Sequence, residues 1–173
     1  RNVRQDTMKN IIARSAKPSC LKATRVGALA LATVIASMIA LGADPALASS
    51  ALDDGIKAYR HGEFEKSAGI FSSLADKGDA TAQYLLSCQT INGVGVDADE
   101  EAGWSLMEQA SDNNNPDASV VMARRLEAMG GDKADIRDLY TAAAQKNNTQ
   151  AMLWLALDAL DQGEAAKAEA HLK

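Results

Sequence analysis

The chain contains few aromatic residues and few prolines. Aromatic residues make up 4% of its 173 residues and there are three prolines, while 47% of the residues are hydrophobic. A core must therefore be built mainly from Ala, Leu, Met and Val. Because Ala and the straight-chain residues lose little rotamer freedom in a helix, and strand-favouring residues are scarce, this composition predicts packed helices. No long run alternates with a period of two residues, so a sheet is not expected.

Groups suited to catalysis or to metal binding are also scarce. The two histidines, His61 and His171, lie far apart in the chain, which argues against a histidine metal site or a charge relay. The sequence offers no nucleophile with a partner base. An enzyme is therefore the least favoured class of function, since catalytic sites need such a constellation.

Two short motifs could suggest a ligand, but each has a simpler interpretation. The acidic cluster of residues 97–101 lacks the twelve-residue ladder of an EF-hand and is interpreted as a helix start, where acids oppose the helix dipole. The segment Gly93-Val94-Gly95 has no strand before it and no third glycine, so it is interpreted as a turn that needs positive φ. We expect no cofactor and no metal.

The N-terminal stretch has the three parts of a secretory signal. A basic region from Met8 is followed by the apolar run Val26–Leu41 and by small residues at Ala46 and Ala48, which predicts cleavage after Ala48. The expected location is the periplasm or the outside of the cell. Two alternatives remain open, namely a retained inner-membrane anchor formed by residues 26–41 and an organellar transit peptide.

Cleavage would change both the cysteine content and the charge of the chain. Cys20 lies in the segment expected to be removed, and the apolar surroundings of Cys88 predict a small buried side chain rather than a reactive thiol. Residues 49–173 hold eleven Lys and Arg against twenty-one acids, a net charge near −10. So acidic a surface argues against nucleic-acid partners, whose phosphates need clustered cations.

The remaining chain repeats. Helix pairs are predicted at about 49–79, 80–115, 116–148 and 149–173, and the small residues that open them are separated by 31, 36 and 33 residues. These openings are Ala51, Ala82, Ala118 and Ala151. A second set of small residues, expected where two helices approach closely, is Ser87, Ala123 and Ala156. The same register places Leu86 on the inward face and Gln83 on the outward face.

The best-formed unit has the spacing Ala-x3-Leu-small-x5-Gly-x-Gly-Val over residues 82–96, followed by Asp, Ala and an aromatic residue. This pattern resembles the Sel1-like repeat, a relative of the tetratricopeptide repeat, over about residues 51–173. Ser87 stands where glycine is usual, Thr90 stands where an aromatic is usual, and Trp104 lies one position early. The resemblance implies an all-α fold, an α-solenoid of stacked antiparallel helix hairpins, with scaffold or regulator roles.

The predicted function is an exported, non-enzymatic protein–protein interaction module of the cell envelope. The alternative is a binder of peptidoglycan or another envelope glycan. The expected partner is a protein, and the mature domain is not expected to be embedded in a membrane. Candidate contacts on the first helices are Tyr84, Arg124 and Arg125, because Tyr and Arg are enriched at interaction hot spots. Core packing for Tyr84 and for Trp154, and a solvated helix face for the arginines, remain alternatives.

Overall fold

The computed structural model of the chain describes residues 45–171. These residues form eight α-helices and no strand. The segment before Pro45, with the apolar run 26–41, lies outside the described residues, and the predicted cleavage point after Ala48 falls inside the first helix. In chain order the helices are α1 Pro45–Arg60, α2 Phe64–Ala75, α3 Ala80–Asn92, α4 Glu100–Asp112, α5 Pro116–Ala128, α6 Lys133–Ala144, α7 Thr149–Asp161 and α8 Ala165–His171.

Each helix packs mainly against the helix before it and the helix after it. Such sequential packing of helix pairs is the arrangement of a solenoid, in which every repeat contacts only its neighbours. The predicted all-α solenoid of helix hairpins is therefore confirmed. Within residues 45–171, no helix is both long and apolar enough to cross a bilayer.

Side-chain caps explain where most of the helices begin. Five helices start after an Asp or Asn whose carboxylate or amide oxygen accepts backbone N–H groups of the first turn. Such a cap satisfies donors that have no partner within the helix. The five caps are Asp79, Asp99, Asn115, Asp132 and Asn148.

The connections between hairpins share one backbone motif. Gly78, Asn114 and Asn147 have φ values of 84°, 64° and 60°, and each directly precedes a capping residue. The capping residue then donates its N–H to a carbonyl five residues earlier, as Asn115 does to Ala110 at 2.9 Å. Asn tolerates the left-handed region better than other non-glycine residues, so it replaces glycine at two of the three connections.

The core consists of clusters that join one hairpin to the next. The first contains Phe71, Leu74, Ala75 and Ala82; the second contains Cys88, Ile91, Trp104, Met107, Ala110 and Ala118; the third contains Val120, Ala123, Ile136, Tyr140, Ala143, Ala151 and Leu155. Each of these three clusters includes the alanine that opens the following hairpin, and those three alanines are fully buried. Stacking of hairpins thus supplies the core that a single hairpin lacks.

Small residues let the two helices of a hairpin approach closely. Ser87, Ala123 and Ala156 are all buried, as predicted. At the contact of α3 with α4, a Cβ added to Gly103 would lie 2.4 Å from the Ile91 side chain and 3.1 Å from the Ser87 carbonyl oxygen. The pair Ser87 and Gly103 therefore sets the separation of these helices.

The assignment of Gln83 to the outward face was wrong. Gln83 is only 3% exposed, whereas Leu86 is half-buried against the first cluster. The Gln83 side chain donates from Nε2 to the Ala75 carbonyl at 3.4 Å and accepts at Oε1 from Asn113 Nδ2 at 2.9 Å. A polar residue can be buried where both ends of its amide find partners, and periodicity does not reveal such partners.

We expect Gln83→Ala to lower the free energy of unfolding by about 1–3 kcal/mol, because it leaves buried polar groups without partners. Urea unfolding checks this value. The matched control is Gln109→Ala on the exposed face of α4, where the change should stay within about 0.5 kcal/mol. Equal midpoints for the two variants would contradict the inward position of Gln83.

Candidate partner-binding surface

An arginine from α5 covers the tryptophan of α4. The Arg125 guanidinium carbon lies 3.9 Å from the ring centroid of Trp104, which is a cation–π contact. Trp104 is 8% exposed and belongs to the second cluster, while Arg125 is half-buried. The contact therefore joins the second hairpin to the third and fixes the position of Arg125.

A surface groove runs beside this contact. It is lined by five residues of α4 and one of α5, and we call it the acidic α4–α5 groove. The α4 residues lie at relative positions 0, 1, 4, 5 and 8, which places them on one helix face. The lining residues are Glu100, Glu101, Trp104, Ser105, Glu108 and Arg125.

Acidic side chains dominate the groove. It contains three carboxylates and one guanidinium, and all three glutamates are exposed. None of these glutamates takes part in an ion pair among residues 50–171. The groove therefore presents unpaired negative charge, which suits a cationic side chain better than an anionic one.

Arg124 lies in different surroundings from Arg125. It is exposed and lies beside Tyr140, whose hydroxyl donates to Glu127 Oε2 at 3.2 Å. Burial, with the adjacent Glu127 charge, raises the pKa of Tyr140 to about 12, and Arg124 opposes this shift. The phenol therefore keeps its proton, and donates to Glu127, throughout the physiological pH range.

The same glutamate joins the third hairpin to the fourth. Glu127 Oε1 accepts from Trp154 Nε1 at 2.7 Å, and the rings of Tyr140 and Trp154 stack with centroids 4.2 Å apart. Trp154 is half-buried against the third cluster. Its packing is that of a structural residue, which was the alternative left open by the sequence.

Tyr84 occupies a third location. It is half-buried and packs against the second cluster. Burial, together with the charge of Asp117 on α5, raises the pKa of Tyr84 to about 12. The three residues predicted to contact a partner are thus not gathered at one site: only Arg125 lies in the acidic α4–α5 groove, and a binding role for Tyr84 and Arg124 stays a prediction.

Sequence reasoning missed the groove because it interpreted the acids of α4 as helix-start charges. Asp99 does cap α4, accepting the Ala102 N–H at 2.9 Å. However, Glu101 and Glu108 share a face with Trp104, and this spacing was a usable signal. Over the part of the chain that the structure describes, no group of His, Cys, Asp or Glu side chains is placed to hold a metal ion.

No protein-family model and no curated protein matches the chain. Among solved structures, it is similar to a Sel1 repeat protein from Oxalobacter formigenes, with a TM-score of 0.59 and 22% sequence identity. The match covers 72% of this chain and 55% of that one, so the chain spans about half the length of that structure. The likeness confirms, at the level of the fold, the Sel1-like resemblance predicted from the repeats.

Proposed function

From this Sel1-type repeat fold we propose that the chain is a non-enzymatic protein–protein interaction module, exported to the cell envelope. Stacked helix hairpins offer a long, rigid surface for partners, and a surface of that kind needs no cofactor. The basic, apolar and small-residue regions of residues 8–48 support export.

The observation that carries the proposal is the acidic α4–α5 groove. Its tryptophan and arginine are fixed against each other, so little conformational entropy is lost there when a partner binds. Its three exposed glutamates select for positive charge. We therefore propose that the groove receives a Lys- or Arg-containing segment of a protein partner.

A carboxylate-rich partner at the Arg124-Arg125 doublet has less support than a cationic one. Arg125 already contacts Trp104 and lies among glutamates, so an incoming carboxylate would meet like charge. Arg124 and Tyr84 would act only as peripheral contacts on the first helices.

A glycan partner has less support from the aromatic residues. Sugar rings stack on exposed aromatic faces, but Trp104 is covered by Arg125, and Trp154 is stacked on Tyr140. Binding to envelope glycan is therefore treated as an alternative outcome of the test below.

The test is charge reversal in the groove. Glu101→Lys/Glu108→Lys should abolish capture of the protein that the wild-type chain retains from a native envelope extract, because it replaces two attractive charges by repulsive ones. Capture is measured by pull-down, with circular dichroism to verify that helix content is unchanged.

The matched control is Asp135→Lys/Asp138→Lys on α6. Like the groove variant, it reverses one acid in the first turn of a hairpin's second helix and one acid further along the same helix. Both residues are exposed. This variant should capture as the wild type does. Equal capture by both double variants would show that the groove is not the binding site. If the wild type retained purified cell wall but captured no protein, the glycan alternative would be favoured.

A further inference from the structure

The hydrogen-bond donors of Arg125 have no acceptor in the part of the chain that the structure describes. The guanidinium carbon lies 3.9 Å from the ring centroid of Trp104, and no hydrogen bond or ion pair joins the guanidinium to another residue among 50–171. The N–H bonds of a guanidinium lie in its own plane, so contact with the face of a ring leaves them available. Arg125 is therefore held by an aromatic ring while its donors remain unused.

Arg137 on α6 provides a comparison, because it is an arginine whose donors are used inside the fold. Its Nε and Nη2 atoms both lie 2.9 Å from Asp158 Oδ2, and this ion pair joins α6 to α7. Arg125 lines a groove with three glutamates but forms an ion pair with none of them. The donors of Arg125 are thus available to a molecule that enters the acidic α4–α5 groove.

Ser105 supplies a second donor in the same groove. Its hydroxyl oxygen accepts from Gln109 Nε2 at 3.4 Å, and among the described residues its proton is donated to none. The residue is exposed and lines the groove next to Trp104. The groove thus combines carboxylates, which attract a cation, with N–H and O–H donors, which need an acceptor oxygen.

These donors make a bare polycation a poor match for the groove. The three carboxylates attract it, but the guanidinium of Arg125 repels it, and the donors gain no acceptor. A carboxylate would satisfy the donors but would be repelled by the glutamates. A main-chain carbonyl is a neutral acceptor, so it can pair with the donors without adding charge of either sign.

We propose that Arg125 determines the specificity of the groove by donating to a main-chain carbonyl of the bound segment, while the glutamates hold the Lys or Arg side chains of that segment. This inference rests on the proposed function and deepens it. The ligand is a peptide chain that is recognised through its backbone as well as through its charge. Arg125 therefore contributes to binding although its charge has the same sign as that of the ligand.

Two cationic probes separate backbone recognition from charge attraction. One is a tri-lysine peptide with an acetylated N-terminus and an amidated C-terminus, which carries carbonyl groups. The other is spermidine, a polyamine of about the same charge that has no acceptor oxygen. Binding is followed by titration in ¹⁵N NMR through the indole N–H signals of the two tryptophans. The signal of Trp104 should shift, and that of Trp154, outside the groove, should not.

The wild type should bind the peptide about tenfold more tightly than spermidine, which is the effect of one charge-assisted hydrogen bond. Arg125→Gln should bind the peptide more weakly and spermidine no more weakly, because the lost hydrogen bond outweighs the relief of screened repulsion. Arg125→Lys keeps the charge but not the planar fork, so it should also lose most of the preference for the peptide.

Arg60→Gln is the control, because it removes the same charge from an exposed residue at the end of α1. It should bind both probes as the wild type does, and circular dichroism verifies that every variant is folded. Arg125 would have no role in specificity if Arg125→Gln changed the binding of both probes equally, or if it bound the peptide more tightly. Either result would leave the groove itself as the binding site.

A different result would contradict the groove and the proposed function as well. Glu101→Lys/Glu108→Lys should lose binding of the tri-lysine peptide, because two attractive charges become repulsive. Unchanged binding of the peptide by this variant would show that the peptide binds elsewhere. A wild type that binds spermidine as tightly as the peptide, or that binds neither probe, would overturn backbone recognition by Arg125.

Discussion

Gly95→Ala should destabilise the protein by more than about 2 kcal/mol, for two separate reasons. Gly95 has a φ of 74°, and placing a side chain in this left-handed region costs roughly 1–2 kcal/mol. A Cβ at Gly95 would also lie 2.3 Å from the backbone carbonyl of Phe64, where α2 begins. Backbone atoms cannot move aside as a flexible side chain can, so the turn that contains Gly95 would have to move away from the start of α2.

The Gly95 turn is also held by a buried amide. Gln89 Nε2 donates to the Phe64 carbonyl at 3.3 Å and to the Val94 carbonyl at 3.0 Å, so it joins the end of α3, the turn and the start of α2. Displacing the turn would therefore strain these bonds. Urea unfolding measures the total effect.

Gly130→Ala separates the two causes. Gly130 has a φ of 71°, but a Cβ there would meet nothing within 4 Å. Its variant should show the conformational cost alone, and so a smaller loss than Gly95→Ala. An equal loss in the free energy of unfolding for the two variants would show that the close approach of Gly95 to Phe64 contributes nothing to stability.

Phe71→Ala should lower the free energy of unfolding by about 3–5 kcal/mol, the usual range for a buried phenylalanine. Phe71 is 1% exposed and belongs to the first cluster. A Cβ on Gly55 of α1 would lie 2.5 Å from its ring, so the ring fills the space that this glycine leaves. Few aromatic residues exist elsewhere in the chain to compensate.

The control for Phe71→Ala is Met129→Ala, which removes an exposed apolar side chain and should change stability by less than about 0.5 kcal/mol. Thermal and urea unfolding of both variants provide the comparison. A loss below about 1 kcal/mol for Phe71→Ala would mean that the first hairpin does not depend on this cluster.

The parts of the fold that could be predicted from sequence depend on local chemistry. Helix starts follow Asp or Asn caps, and Asn114 and Asn147 take the positive φ that Gly78 takes at the first connection. The alanines that open hairpins recur at separations of 31, 36 and 33 residues because every stacking contact repeats the same close approach. Each of these signals lies within a few residues of the feature it explains.

The acidic face of α4 had a local signal in its spacing, but the contact that completes the candidate site could not be predicted in the same way, because it joins distant residues. Neighbours on a helix are about 100° apart, so Arg124 and Arg125 cannot share one docking spot even though they form a doublet in the sequence. The contact of Arg125 with Trp104 joins different hairpins, and no local pattern signals it. Gln83 was misplaced for the same reason, since Asn113 lies thirty residues away.

The central claim is that a protein partner binds in the acidic α4–α5 groove, and site-specific photo-crosslinking in the native envelope tests it most directly. A photoreactive residue is placed at Ser105, which lines the groove, and in a separate chain at Asp138 on the exposed face of α6. We predict a discrete protein adduct from position 105 that is absent from position 138 and is lost when Glu101→Lys/Glu108→Lys is added. Adducts of equal yield from both positions, or none from position 105, would contradict the claim.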